Sequence, residues 1–270
     1  MSAQGKSKME EAKNVKDENK LYLHEGILYS TIMSPPENLK GLKELEGRPD
    51  DILLVAYPKC GFNWMVAVLR KIMAAASGQQ EVSQIPPLIE FFSPDVQKVV
   101  GEMPSPRLLG THLHPDNIPG TFIAKKTKML VVFRNPKDTV VSYYHFMNTN
   151  PVLPNAKSWD SFFTDFMEGE GEIYFLFYLY LIRQVKYRSS VTEWSAWQQR
   201  DWIYAVTRAR CSFFFSLNEY AIVRLISNSE VGDWKNHLSE AQSKQMDKEF
   251  EKHLAHTKLG AKLKYDIYCK

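Results

Sequence analysis

Apolar residues in this chain gather into short unbroken runs, each stopped by a polar, Gly- or Pro-marked break and followed by helical spacing. Ile52-Leu53-Leu54-Val55-Ala56-Tyr57 is one such run, as expected of a strand covered on both faces. Pro58 to Asn63 breaks it, and Trp64 to Ala76 then places good helix formers with apolar positions at helical intervals. Arg107-Leu108-Leu109-Gly110-Thr111-His112 is a second strand candidate. Met129-Leu130-Val131-Val132-Phe133, stopped by Arg134-Asn135-Pro136, is a clearer third. Helical pattern resumes at Asp138, with that residue near the helix start, and recurs over Ser158–Met167 and Ser239–Leu254. Strands alternating with helices predict an α/β fold: a single domain with a central, mostly parallel sheet flanked by helices. Ligands of such sheets collect beyond the carboxyl ends of the strands, where both punctuated loops fall.

Two stretches break the pattern. Residues 1–47 read as a polar N-terminal arm and a loop-rich lead-in, with 48–270 as the domain proper. From Glu172 to Ser229 there is no Gly and no Pro but a crowd of aromatics, so 172–229 is atypical. Its apolar run Ile173–Ile182 is half of the roughly 20 residues that span a bilayer, so a buried strand or core helix is expected and no membrane partner.

Composition narrows the class. With 44% hydrophobic and 24% charged residues the chain is of ordinary globular type, and a net charge of +3 suits small anions and gives no reason to expect nucleic acid. Cys60, Cys211 and Cys269 are odd in number and at no metal-ligand spacing. They predict reduced thiols and a cytoplasmic location. The N-terminal twenty residues mix both charge signs without an apolar core, unlike a secretory signal.

The chemistry lies in the two loops. Tyr57-Pro58-Lys59-Cys60-Gly61-Phe62-Asn63-Trp64 joins a strand to a helix through a Lys- and Gly-containing turn, the arrangement of a P-loop-like phosphate cradle, although GxxxxGK[ST] is absent. By itself it reads equally as a plain turn. Phe133-Arg134-Asn135-Pro136-Lys137-Asp138-Thr139-Val140-Val141-Ser142-Tyr143 repeats the design: Arg134 offers a planar fork for phosphate oxygens and Ser142 a hydroxyl, or the loop is simply salt-bridged.

Together with Gly232-Asp233-Trp234-Lys235-Asn236-His237, these segments resemble the cytosolic sulfotransferase family. The resemblance covers roughly 48–167 and 230 to the end. Cys60 in the first loop, Thr111 to His114, and the ending from Leu259 to Cys269 point to one branch of that family. It implies a transferase that moves the sulfuryl group of 3′-phosphoadenosine 5′-phosphosulfate (PAPS) to a hydroxyl or amine of a small-molecule acceptor, without a metal. The first loop (Lys59, Cys60, Gly61, Phe62, Asn63, Trp64) would hold the 5′-phosphosulfate, with Trp64 stacked on adenine. Arg134 and Ser142 would hold the 3′-phosphate. His112 would be the general base and Lys59 the cation at the bridging oxygen, with Ser142 influencing where Lys59 points. His114 is left without a catalytic part.

Four departures accompany the resemblance. Phe62 stands where the family usually has a hydroxyl, and Gly110 where it usually has a lysine. Ser227-Asn228-Ser229 replaces the Arg-Lys-Gly that closes over the 3′-phosphate. The stretch 172–229 replaces adenine-contacting segments. The dimer segment is degenerate as Lys235–Ala241, leaving a family-style homodimer in doubt. A second reading therefore stays open, a non-catalytic or truncated relative with weak or no PAPS binding. A nucleotide kinase is disfavoured because the Walker lysine-serine pair is missing.

Overall fold

The structure is a computed structural model that describes residues 3–78, 87–168, 203–208, 232–256 and 265–270. The run Ile173–Ile182 and the tripeptide Ser227-Asn228-Ser229 lie outside the described residues.

The lead-in carries regular elements of its own. Helix α1 (Ala3–Lys13) places Ala12 wholly inside, and Met9 packs on the same core. Strands β1 (Leu21–His24) and β2 (Ile27–Ser30) form an antiparallel hairpin through Glu25-Gly26, both at positive φ (50° and 79°). Two left-handed central residues give a turn whose twist matches a two-residue hairpin. Helix α2 (Pro36–Gly41) follows, and Leu39, Leu42 and Leu45 are buried.

The second sheet carries the candidate site. Its strands β3 (Ile52–Ala56), β4 (Leu108–Thr111), β5 (Lys128–Arg134) and β6 (Ile203–Arg208) lie in the order β4-β3-β5-β6, every neighbouring pair parallel. Side chains alternate across it. Leu53, Val55, Val131 and Phe133 enter one apolar cluster, while Leu54, Ala56, Leu130 and Val132 enter another on the opposite face. That double burial explains why these strands read as continuous apolar runs.

Helices α3 (Phe62–Ser77), α4 (Pro94–Glu102), α5 (Gly120–Ala124), α6 (Pro136–Thr149), α7 (Trp159–Glu168), α8 (Glu240–Phe250) and α9 (Tyr265–Tyr268) are the remaining α-helices among the described residues. A π-helical stretch Glu251–Ala255 extends α8, which starts at a capping box made by Ser239 and Gln242.

The amino end of the sheet is locked by charge. Asp51, fully buried just before β3, takes two contacts from the Arg107 guanidinium, at 3.0 Å from Nε and 2.5 Å from Nη2. Arg107 spends its other donors on the carbonyls of Val100 and Glu46. The carboxyl ends of the strands are left to the loops.

Candidate nucleotide site

Because β3 and β5 are adjacent and parallel, with Ala56 beside Val132, the loops that follow them leave the sheet side by side. In the first loop Lys59 and Gly61 both have positive φ, 68° and 103°. Gly61 adopts this freely, whereas a lysine there costs on the order of 1–3 kcal/mol, strain of the kind that gathers at functional sites. Cys60 between them is fully buried, with its Sγ 3.9 Å from Thr139 Oγ1 on α6. Gly61 is the N-cap of α3 and no side chain caps that helix. Its first-turn amides and positive helix end therefore face the loop, ready for an anion.

The second loop differs. Asn135 caps α6 with its own side chain, accepting from Lys137 N at 2.8 Å and Asp138 N at 3.4 Å. An anion here has to be met by side chains. Asp138, read from the sequence as near the helix start, lies in the first turn of α6, where it does another job than capping. Its carboxylate accepts from the amides of Gly232 (3.1 Å) and Trp234 (3.3 Å), so the Gly-Asp-Trp turn is pinned to α6. The C-terminal segment is tied to the same loop: Asn135 Nδ2 and Trp234 Nε1 both donate to the Tyr268 carbonyl. Lys137, fully buried, reaches Asp247, Ser243 and the Cys269 carbonyl.

The two loops touch. Arg134 Nη1 donates to the Lys59 carbonyl at 3.2 Å. Lys59 Nζ stands 4.1 Å from the centroid of the Phe146 ring, and Phe146 lies one helical turn beyond the half-buried Ser142 on α6. Burial first, and the nearby Arg134 charge second, lower the Lys59 pKa from its ordinary value.

His112 follows β4 directly. Its Nδ1 is 2.6 Å from the Ala56 carbonyl, and since a carbonyl only accepts, Nδ1 carries the proton and Nε2 keeps a lone pair. Burial, with the Lys59 charge adding to it, pushes its pKa down to about 4, so the ring is neutral at pH 7. The backbone amide of His112 donates to Glu90 Oε1 at 2.7 Å, and Thr111 Oγ1 donates to Oε2 at 3.0 Å. Glu90 is itself buried and pushed up to about 7.

The remaining predicted residues divide by exposure. The Phe62 side chain turns into the apolar cluster with Leu54, Ala56 and Met65, so only its backbone can serve an anion. Asn63 is exposed, and Trp64 is half-buried with its ring packed on that cluster. His114 caps the short turn Pro115–Asn117, accepting from Asp116 N. Sequence reasoning missed Glu90, Thr139 and the Asp138 clamp. A single acid inside an apolar stretch, Leu88-Ile89-Glu90-Phe91-Phe92, was the available signal for the first.

A parallel sheet with two cationic loops meeting at the carboxyl ends of adjacent strands defines an α/β protein built for a small anionic ligand. Comparison gives the family. The sulfotransferase domain model matches residues 49–204, and the chain belongs to that family, an enzyme class that transfers sulfuryl groups. It is 50% identical to Sulfotransferase 6B1 of Danio rerio over 308 aligned positions, covering 99% of each chain. It is 34% identical to Sulfotransferase 6B1 of Homo sapiens, over 97% of this chain and 95% of that one. The branch expected from Cys60 and Thr111–His114 is the one found. The family match runs into the atypical stretch, so the likeness reaches further than the quoted motifs. Among solved structures, mouse sulfotransferase SULT7A1 complexed with PAP shares the fold at a TM-score of 0.70 and 22% identity, over 90% of this chain and 98% of that one. No helix among the described residues is long and apolar enough to cross a membrane.

Proposed function

We propose that this chain transfers the sulfuryl group of PAPS to a hydroxyl or amine of a small acceptor. The observation that carries the proposal is the contact of Arg134 with Lys59, which sets two cationic loops side by side at the carboxyl ends of β3 and β5. In this reading the uncapped start of α3, with the backbone of Cys60, Gly61, Phe62 and Asn63, receives the 5′-phosphosulfate. Trp64 lies against adenine. Arg134 and Ser142 meet the 3′-phosphate. His112 Nε2 takes the proton of the acceptor as its oxygen or nitrogen bonds to sulfur. Lys59 stabilises the charge left on the bridging phosphate oxygen as the S–O bond breaks. Such placed charge is the largest single contribution in many enzymes.

A cytoplasmic location and a small-molecule acceptor, with neither nucleic acid nor membrane as partner, accompany the proposal. So does the division into a lead-in over 1–47 and a domain over 48–270. The degenerate Lys235–Ala241 segment argues against a family-style homodimer. The rival, a non-catalytic relative, draws on Ser227-Asn228-Ser229. It is disfavoured by the neutral, tautomer-fixed His112 beside Lys59. The test is turnover with PAPS against phenols, steroids, amines and thyroid-type compounds. The wild type is expected to sulfate at least one of them, and His112→Ala none while still gaining thermal stability from PAP. Full turnover by His112→Ala would remove the base assignment.

A further inference from the structure

Phe62 and Gly110 depart from the family separately in the sequence, but they meet in space. A Cβ built on Gly110 would stand 2.4 Å from Phe62 Cζ and 2.6 Å from Cε2, far inside contact distance. Neither side has room to give. Gly110 lies between two neighbours, paired with Leu54 of β3 on one side and bonded through its amide to the Pro87 carbonyl at 2.7 Å on the other. The Phe62 ring is rooted in the cluster of Leu54, Ala56, Met65 and Leu88 and is almost fully buried. A side chain at 110 and the Phe62 ring as placed exclude one another.

The ring that takes this space also touches the candidate base. Phe62 meets the His112 imidazole edge to face, with centroids 4.8 Å apart and planes at 62°. With the Ala56 carbonyl on Nδ1, this contact fixes the plane of the ring and leaves Nε2 as its one nitrogen for chemistry. We propose that Phe62 is a positioning residue for His112 and that Gly110 supplies the space it needs, so that an apolar wall stands against the imidazole. The proposal rests on the reading of His112 as the base. The charged group acting on the imidazole is Lys59 from the first loop, whereas Glu90 takes the His112 backbone amide.

The experiment is a double-mutant cycle of Phe62→Ala and Gly110→Ala, read in kcat, donor KM and the pH dependence of kcat/KM, which reports the free enzyme. Thermal stabilisation by PAP reports whether each variant is folded. Phe62→Ala is expected to lower kcat by about 10²-fold with little change in donor KM, the scale of a misplaced catalytic group. Water then reaches the imidazole, so the acid limb of the profile moves up from near pH 4 toward the ordinary histidine range of about 6.5. Gly110→Ala is expected to do the same by displacing the ring, and the double variant to lose no more than either single one. Should Gly110→Ala fail to fold, the double variant, relieved of the overlap, is compared with Phe62→Ala alone. Additive losses, or an acid limb that stays in place in a Phe62→Ala protein that still binds PAP, would overturn the proposal and leave the base assignment standing. Turnover by His112→Ala would instead remove the reading beneath it.

Discussion

Arg134 donates from Nη1 to the Lys59 carbonyl across 3.2 Å, so the cation of the second loop braces the backbone of the first. Lys59 is held at a φ of 68°, outside the range a lysine prefers, and this bond is part of what holds it there. In the proposed function the Arg134 fork serves the loop and the ligand together. Arg134→Lys keeps the charge but loses the planar geometry. Its affinity for PAP is expected to fall about ten- to hundredfold, the worth of one or two hydrogen bonds to a charged group. Calorimetric titration measures this.

The opposite end of the sheet is built for stability. Asp51→Ala leaves the buried Arg107 guanidinium uncompensated, which costs about 3–5 kcal/mol. Chemical denaturation should register that loss, while PAP affinity of the folded fraction stays at the wild-type value.

Two buried groups pull stability in opposite directions with pH. Glu90 keeps its proton in the fold up to about 7, whereas its ordinary value is 4.5. The unfolded chain therefore holds fewer protons in that window. This contribution is complete below pH 4.5 and is lost as pH rises through 7. His112, lowered to about 4 from 6.5, acts the other way: its contribution is complete above 6.5 and is lost as pH falls toward 4. Above pH 6.5 Glu90 acts alone. The wild-type melting temperature is expected to drop between pH 6.5 and 7.5, and Glu90→Gln to flatten that drop. An identical slope in both proteins would contradict it.

Asp138 joins α6 to the Gly-Asp-Trp turn through the amides of Gly232 and Trp234. Asp138→Ala removes both acceptors, a loss of about 2–3 kcal/mol. Hydrogen exchange at residues 232–236 should quicken well before the sheet amides of β3 and β5 do.

The sheet was legible because its strands are buried on both faces, which leaves runs such as Leu53-Leu54-Val55-Ala56 unmistakable. The two loops were legible because Lys59, Gly61 and Arg134 sit where strands stop. The β1–β2 hairpin was missed because Glu25-Gly26 lacks the usual Asn or Asp before glycine, and each strand is four residues long. The Asp138 clamp, the Asp51–Arg107 pair and the Glu90 link to His112 were missed for another reason. Each joins residues at least 22 positions apart, and no local pattern marks such a pairing. Phe62 and Gly110 showed as two gaps in a motif, and only the fold reveals them as one.

The proposed function divides the labour on one bisphosphate between two loops. Calorimetric titration of the wild type, Lys59→Ala and Arg134→Ala with PAP and with 5′-AMP, which lacks the 3′-phosphate, tests it most directly. Arg134→Ala should lower PAP affinity to about that of 5′-AMP and weaken 5′-AMP binding far less, through the lost brace on the Lys59 carbonyl alone, while Lys59→Ala weakens both alike. Equal loss of both ligands in Arg134→Ala, or wild-type binding that does not distinguish PAP from 5′-AMP, would contradict it.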